Sequence, residues 1–381
     1  MKKVISFTDY YWPGYKAGGT IRAFMNQVDY LTNDFEFFIV TSDTDYTDTT
    51  PYTGIIANQW NTISPNVHVY YVSAANQKVS LFRRLLAERD YDVVYIHLLF
   101  GFWYSFLPLL LTKFQRRKLV IVASHGVLGE GALGVKPGRK KVFLQLMKII
   151  RFYKGVVFHS VIAHETIDIK KHIGEKTRIA EARELPRRVT NPPERKPKVA
   201  GSLTLVTVAR ISPEKNQLYA LEILTRCKSH AIRYDLIGPV NSEAYWEKCK
   251  TLIDSMPPNV TVNYRGSISS EKILSELQGY DMMLLPTTGE NFGHTILESF
   301  MAGCPVIISD RTPWRGLETL GIGKDISLDS PELFQETIES FAKMGTDEFI
   351  VHSNRAFSFA QSYIANPEML AENINLFDQT L

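Results

Sequence analysis

Residues 286–310 read PTTGENFGHTILESFMAGCPVIISD, and the fold class follows from how that stretch divides. Just before it, DMMLL at 281–285 is an apolar run of strand length, and VIIS at 306–309 is another. Between them the spacing predicts one helix, beginning near Gly293 and stopping before Gly303, where Gly-Cys-Pro ends it. Ile296, Leu297, Phe300 and Met301 recur at helical intervals and supply its apolar face. A strand, a glycine-bearing turn and a helix start make an anion site, because the first amides have no partner in the helix and the dipole is positive there. Glu290 in the turn and Glu298 on the helix flank that position. A carboxylate is a poor phosphate ligand but a good acceptor for sugar hydroxyls, so the pattern points to a ligand that carries both groups.

Glu290, Phe292, Gly293 and Glu298, followed by Ala302-Gly303, Pro305 and Val306, resemble the Glu-x7-Glu signature of family 4 glycosyltransferases with the GT-B fold. The resemblance covers most of the C-terminal half. It implies that Glu290 contacts the donor sugar and Glu298 the ribose of its nucleotide, with Phe292, Gly293, His294 and Thr295 around the diphosphate. The fold it implies is α/β, two Rossmann-like domains with parallel sheets facing a central cleft.

Upstream, the strand at 203–209 is followed by ARISPEKN, in which Arg210 and Lys215 bracket a turn. Two cations at a strand end just before a helix start suit a diphosphate, since Arg binds it bidentately and Lys adds a point charge. Ser212-Pro213 reads as an N-cap and first-turn pair for that helix. The family has the same two cations and uses them on the leaving diphosphate, which by resemblance makes Arg210 and Lys215 catalytic in effect. The backbone around Ile268 corresponds to where relatives hold the base. After Asp310 this chain has RTPWRGLE, where members often show a glycine pair and a Glu.

The N-terminal half alternates short apolar strands with helical segments, the pattern of a parallel sheet covered on both faces. Strands are expected at 3–8, 36–41, 67–71, 93–97 and 119–123, and helices at 20–31, 79–88, 101–114, 139–152 and 165–172. DYYWPGYKAGGT follows the first strand, and Gly18 and Gly19 open a helix at a carboxyl end, where open α/β sheets gather ligands. The paired glycines also resemble family 4, in which this loop lies against donor phosphates and acceptor. Tyr10, Tyr11, Trp12 and Tyr15 are candidates for stacking on acceptor rings. His125 follows the strand at 119–123, and the resemblance sets it against the donor sugar. His159, His164 and Glu165 depart from the small hydroxylated residue that relatives place before the Glu, and they receive no role. Asp43-Thr44-Asp45 reads as a solvated polar loop rather than a metal site, because it lacks the glycine and closing Glu of a calcium loop.

Charge divides the chain. Through Lys198, 29 Lys and Arg stand against 17 Asp and Glu, a net of +12; beyond it 14 stand against 23, a net of −9. Lys136, Arg139, Lys140, Lys141, Lys148, Arg151 and Lys154 alternate with Val142, Phe143, Leu146, Met147 and Ile150 as a basic amphipathic helix, and Lys113, Arg116, Arg117 and Lys118 follow an apolar run at 98–111. A solvated face and docking on an anionic membrane are both compatible with that pattern. The apolar run is too short to cross a bilayer and is interrupted by Gly101 and Pro108. Cys227, Cys249 and Cys304 have no metal-ligand spacing and suit a reducing compartment. No nucleic-acid module and no signal peptide are recognisable.

The expected domains are an acceptor-binding one at 1–190, a nucleotide-sugar-binding one at 200–360, and a C-terminal helix at 361–381 that by resemblance returns to the first. Residues 187–199, rich in Pro and charge, form the linker. The function implied is metal-independent, retaining transfer of a hexose from a UDP- or GDP-linked sugar to a glycan or lipid-linked acceptor in surface polysaccharide biosynthesis. The protein would act in the cytoplasm or at the cytosolic face of the membrane, without a cofactor. A nucleotide-sugar epimerase of the same fold and a silent sugar-nucleotide binder are the rivals. A dinucleotide oxidoreductase ranks last among the readings.

Overall fold

A computed structural model of the chain describes residues 1–114, 118–129, 133, 137–188 and 197–379. The chain forms two compact units, Met1–Leu185 with Pro367–Leu381, and Pro186–Asn366. Lys136, Arg116, Arg117 and the linker residues 189–196 lie outside the described residues.

The first unit is built on strands β1 (Lys2–Phe7), β2 (Phe35–Ser42), β3 (Trp60–Ser64), β4 (Val67–Val72), β5 (Val93–His97), β6 (Leu119–Ala123), β7 (Val157–Ser160) and β8 (Arg178–Glu181). They pair in the order β3-β4-β2-β1-β5-β6-β7-β8, parallel throughout except for the β3–β4 pair. Alternate residues feed two cores: Ile5, Phe7, Val94 and Ile96 pack on one face and Val4, Val93 and Tyr95 on the other. That is why these strands read as continuous apolar runs. The sequence reading leaves out β3, β7 and β8. The first and last are half-exposed, polar edge strands without apolar alternation.

Helices α1 (Gly19–Leu31), α2 (Val79–Ala87), α3 (Leu107–Thr112), α4 (Pro137–Ile149) and α5 (Ala163–His172) connect them. The helix expected at 101–114 opens instead as a π-turn over Phe102–Phe106, with Phe106 N donating to Gly101 O at 2.8 Å. Pro108 has no N–H for an ordinary bond back to Tyr104, so the preceding turn is wider.

The second unit has a fully parallel sheet of β9 (Ser202–Val208), β10 (Ala231–Ile237), β11 (Val260–Gly266), β12 (Met282–Leu285), β13 (Val306–Ser309) and β14 (Gly323–Ile326), ordered β11-β10-β9-β12-β13-β14. Its helices are α6 (Gln217–Leu224), α7 (Glu243–Ile253), α8 (Ile273–Leu277), α9 (His294–Met301), α10 (Leu317–Leu320), α11 (Pro331–Lys343) and α12 (Thr346–Ile364). The chain rejoins the first unit at Pro367, where α13 (Pro367–Asp378) begins. There Phe377 packs against Phe35, Phe37 and Tyr95, and Glu372 pairs with Arg183.

Each sheet has one place where the chain reverses its direction of travel across the strands, between β1 and β5 in the first and between β9 and β12 in the second. Ligands of open α/β sheets bind beyond the carboxyl ends of the strands at such a reversal.

Candidate functional site

In the second unit the reversal is furnished by two loops, 209–216 after β9 and 286–293 after β12. Each is tied down by buried polar side chains. Gln217, fully buried, donates to Arg210 O at 2.8 Å and accepts from Ser212 N at 3.2 Å. The loops are joined by Asn216 to Pro286 O at 3.0 Å and by Thr287 Oγ1 and Thr288 N to Glu214 O at 2.8 and 2.9 Å. Ser309 donates to Thr287 O, and Glu290 N to Arg311 O at 3.0 Å, so the second loop is also anchored behind β13. A close approach completes the frame: a Cβ on Gly238 would lie 2.0 Å from Ala209 O, so only glycine lets the end of β10 meet that of β9.

Ser212 does not cap the following helix. The segment Pro213–Lys215 is a 3-10 turn, and the helix starts only after Asn216, which takes a left-handed conformation at the cap position with φ 59°. The turn instead sets Arg210 and Lys215 apart, Arg210 toward Glu214 at 3.5 Å and Lys215 in an ion pair with Glu290. Both partners of that pair are largely buried, their side chains 17% and 13% exposed.

Gly293 ends the second loop as the N-cap of α9, with φ 82°. A side chain there would be strained and would lie 2.9 Å from Ile296 Cδ1. The amides of His294 and Thr295 therefore open the helix with no acceptor inside it. Phe292 is buried, and its carbonyl accepts a hydrogen bond from the Trp314 indole. Trp314 packs on Phe292 and Phe300, so RTPWRGLE braces the helix start. Glu298 lies on α9 and is 4% exposed. Ile268, after β11, packs on the core beneath this edge.

The predicted residues thus fall into two groups, with Arg210, Lys215, Ile268, Glu290, Phe292, Gly293, His294, Thr295 and Glu298 in the second unit. His125, Gly18 and Gly19 belong to the first. Gly18 is the N-cap of α1 and Gly19 its first residue. Asp43 and Asp45 are buried rather than solvated, and Asp45 accepts from the amides of Tyr15, Lys16 and Tyr46, so it holds the loop before Gly18. Tyr11 is core, 3% exposed against Phe24, and has no face left for a sugar.

His125 stands at the carboxyl end of β6 in a left-handed conformation, φ 48°. Glu165, on α5, holds that turn by accepting from Ser124 Oγ at 2.6 Å, Gly126 N at 2.7 Å and Val161 N at 2.9 Å. His125 Nε2 meets Nδ1 of His97 at 2.9 Å with the rings stacked. Burial, reinforced by the neighbouring His125, pushes His97 well below the ordinary imidazole range, so His97 is neutral. Glu165 and His97 thus hold the turn and ring of His125, contacts that the sequence reading did not find.

A cavity of about 350 Å³ lies at the opposite, amino edge of the first sheet, lined among others by Lys148, Arg151, Lys154, Lys176 and Arg178. Among the described residues no group of His, Cys, Asp and Glu is arranged to hold a metal ion.

Residues 190–348, less than half of the chain, match the family model described as glycosyl transferases group 1. Solved structures match over nearly the whole length. The fold is GT-B. A glycosyltransferase from Rickettsia africae ESF-5 shares 16% identity and a TM-score of 0.66, covering 99% of this chain and 97% of that one. Anabaena Alr3699/HepE, in complex with UDP and glucose, shares 13% identity with TM-score 0.65, covering 98% and 97%. The trehalose-6-phosphate synthase OtsA shares 10% identity with TM-score 0.69, covering all of both chains. No curated protein matches the chain in sequence.

Proposed function

We propose that the protein is a retaining, metal-independent glycosyltransferase that moves a hexose from a UDP- or GDP-linked sugar to a hydroxyl of a glycan or lipid-linked acceptor in surface polysaccharide biosynthesis. The observation that carries this reading is the β9/β12 reversal, where the loop with Arg210 and Lys215 is bonded to the loop with Glu290, Lys215 pairs with Glu290, and that second loop runs into α9, which carries Glu298. The match to group 1 glycosyl transferases covers the same segment, and a GT-B neighbour is described in complex with UDP and glucose.

In the proposed reaction Arg210, Lys215 and the amides of His294 and Thr295 hold the diphosphate, Glu298 holds the ribose, and Glu290 with His125 holds the sugar. The bond between the anomeric carbon and the diphosphate oxygen breaks as the acceptor oxygen joins that carbon on the same face. The acceptor proton leaves with the diphosphate. Negative charge builds on the leaving group, and each well-placed cation contributes roughly 3 to 4 kcal/mol to that step. Lys215 also neutralises Glu290, so the acid beside the diphosphate adds no net repulsion.

The basic first unit supplies the partner surface. On α4 and the residue after it, Val142, Leu146, Ile149 and Ile150 are 65%, 50%, 78% and 55% exposed while Leu144 and Met147 are buried, so the segment turns an apolar stripe outward. Lys141, Lys148 and Arg151 flank it, a composition suited to a peripheral contact with an anionic bilayer. No helix among the described residues is long and apolar enough to cross a membrane.

Incubation with UDP-glucose or GDP-mannose, with and without glycoside acceptors, tests the reading. Transfer requires both substrates and survives EDTA. Epimerisation of the donor alone, or nucleotide binding without turnover, would replace it.

A further inference from the structure

The first sheet has its own reversal, between β1 and β5, beside the loop that the sequence reading sets against the acceptor, and no role has yet been given there to Asp9. Asp9 stands two positions past the end of β1, and Gly101 opens the segment after β5. A Cβ on Gly101 would lie 3.3 and 3.4 Å from the two Asp9 carboxylate oxygens and 3.2 Å from Ser105 Oγ. Glycine at 101 therefore lets the chain after β5 run close against that carboxylate. The Asp9 carbonyl is occupied by Ser42 N and Thr41 Oγ1, both at 3.2 Å, and Ser105 Oγ donates to His97 O at 3.0 Å. The Asp9 carboxylate itself makes no hydrogen bond or ion pair with a described residue. An acid in such a setting weakens the fold unless a ligand donates to it.

The groups around it define the ligand. Tyr10 lies on the same loop, Asp43 follows β2, and Tyr104 lies on the turn after β5; each carries a hydroxyl or a carboxylate. Burial raises Asp9 to about 6, and among the described residues no cation pairs with it. A phosphate or uronate would be repelled here. A hydroxyl or an ammonium group would be welcomed, and Tyr10, half exposed, offers a ring edge.

We propose that Asp9, at the β1/β5 reversal, accepts a hydrogen bond from a hydroxyl of an uncharged or cationic sugar acceptor. The inference rests on the glycosyl-transfer reading. Asp9 binds and orients the acceptor, and the transferred proton still departs with the diphosphate.

The test compares wild-type protein and Asp9→Asn with UDP-glucose and GDP-mannose as donors. The acceptors are octyl glucoside, octyl glucosaminide and octyl glucuronide. For the uncharged and amino acceptors, Asp9→Asn raises KM at least tenfold and leaves UDP affinity unchanged. In wild type, kcat/KM for the acceptor falls as the pH drops below about 6, because the ionised carboxylate is the stronger acceptor; in Asp9→Asn that limb is absent. Wild type discriminates against the glucuronide, and Asp9→Asn narrows the gap. An unchanged KM, a retained acid limb, or a preference for the glucuronide overturns the proposal. If wild type turns over no donor, the transfer reading fails separately, and saturation-transfer NMR of the three glycosides then decides. Glycoside binding that is absent, or indifferent to Asp9→Asn, also overturns the inference.

Discussion

At the reversal between β9 and β12 two cations lie on one loop before a second loop that runs into a helix start, Arg210 paired with Glu214 and Lys215 with Glu290. At the reversal between β1 and β5 the Asp9 carboxylate pairs with no cation among the described residues. The two sheets share a topological device but present opposite chemistry on it. In the proposed reaction the first arrangement would hold a leaving diphosphate, and the second would suit a hydroxyl donor and reject anions. A donor and an acceptor could be distinguished by charge alone before shape is considered.

The comparison breaks most visibly at the cations. Arg210→Ala and Lys215→Ala should each lower kcat by about 10²–10³-fold, because charge on the leaving group goes uncompensated. Circular dichroism and a nucleotide titration would separate lost chemistry from lost folding. Lys215→Ala should also reduce stability, since it strands Glu290 in a largely buried position. A Lys215→Ala/Glu290→Gln double variant should recover that stability but not the activity. Wild-type rates in either single variant would remove that residue from the mechanism.

Glu165→Ala should cost about 2 to 4 kcal/mol of unfolding free energy, because Ser124, Gly126 and Val161 lose a shared acceptor in a buried turn. Chemical denaturation reads this directly. The variant should also lower kcat by releasing His125 from its left-handed conformation, with UDP affinity in the second unit unaffected.

Asp9→Asn should do the opposite and stabilise the protein by about 1 to 3 kcal/mol at pH 8. The folded-state value is raised from 3.8 to about 6, so the folded protein binds the proton more tightly than the unfolded chain does. Wild-type stability therefore falls as pH rises from about 4 through 6, and Asn escapes that loss. Melting curves should differ at pH 8 and converge near pH 4. The smallest effect belongs to Trp314→Phe, which removes the indole bond to Phe292 O and should cost about 1 kcal/mol.

The second unit was the more legible because its site is local in sequence. The strand, the turn with Glu290 and the helix with Glu298 occupy one continuous stretch, and Arg210 and Lys215 sit on one short turn. What escaped there was conformation: Ser212 looked like a cap, yet the chain makes a 3-10 turn first and passes through Asn216. In the first unit the key proximities arise from parallel pairing of distant strands. Asp9 meets Gly101 only because β1 lies beside β5, and His97 meets His125 only because β5 lies beside β6. Nothing in the spacing of FHSVIAHE announces that Glu165 reaches back to the turn after β6. Burial was misjudged where aromatic and acidic residues crowd one loop, since Tyr11 went into the core and Asp45 was used on backbone amides.

The crystal structure of the protein with UDP-glucose bound tests the central claim most directly. The account predicts the diphosphate within hydrogen-bonding distance of Arg210, Lys215 and the amides opening α9, with the ribose on Glu298. A diphosphate bound elsewhere, with Arg210 and Glu298 out of contact, would contradict it.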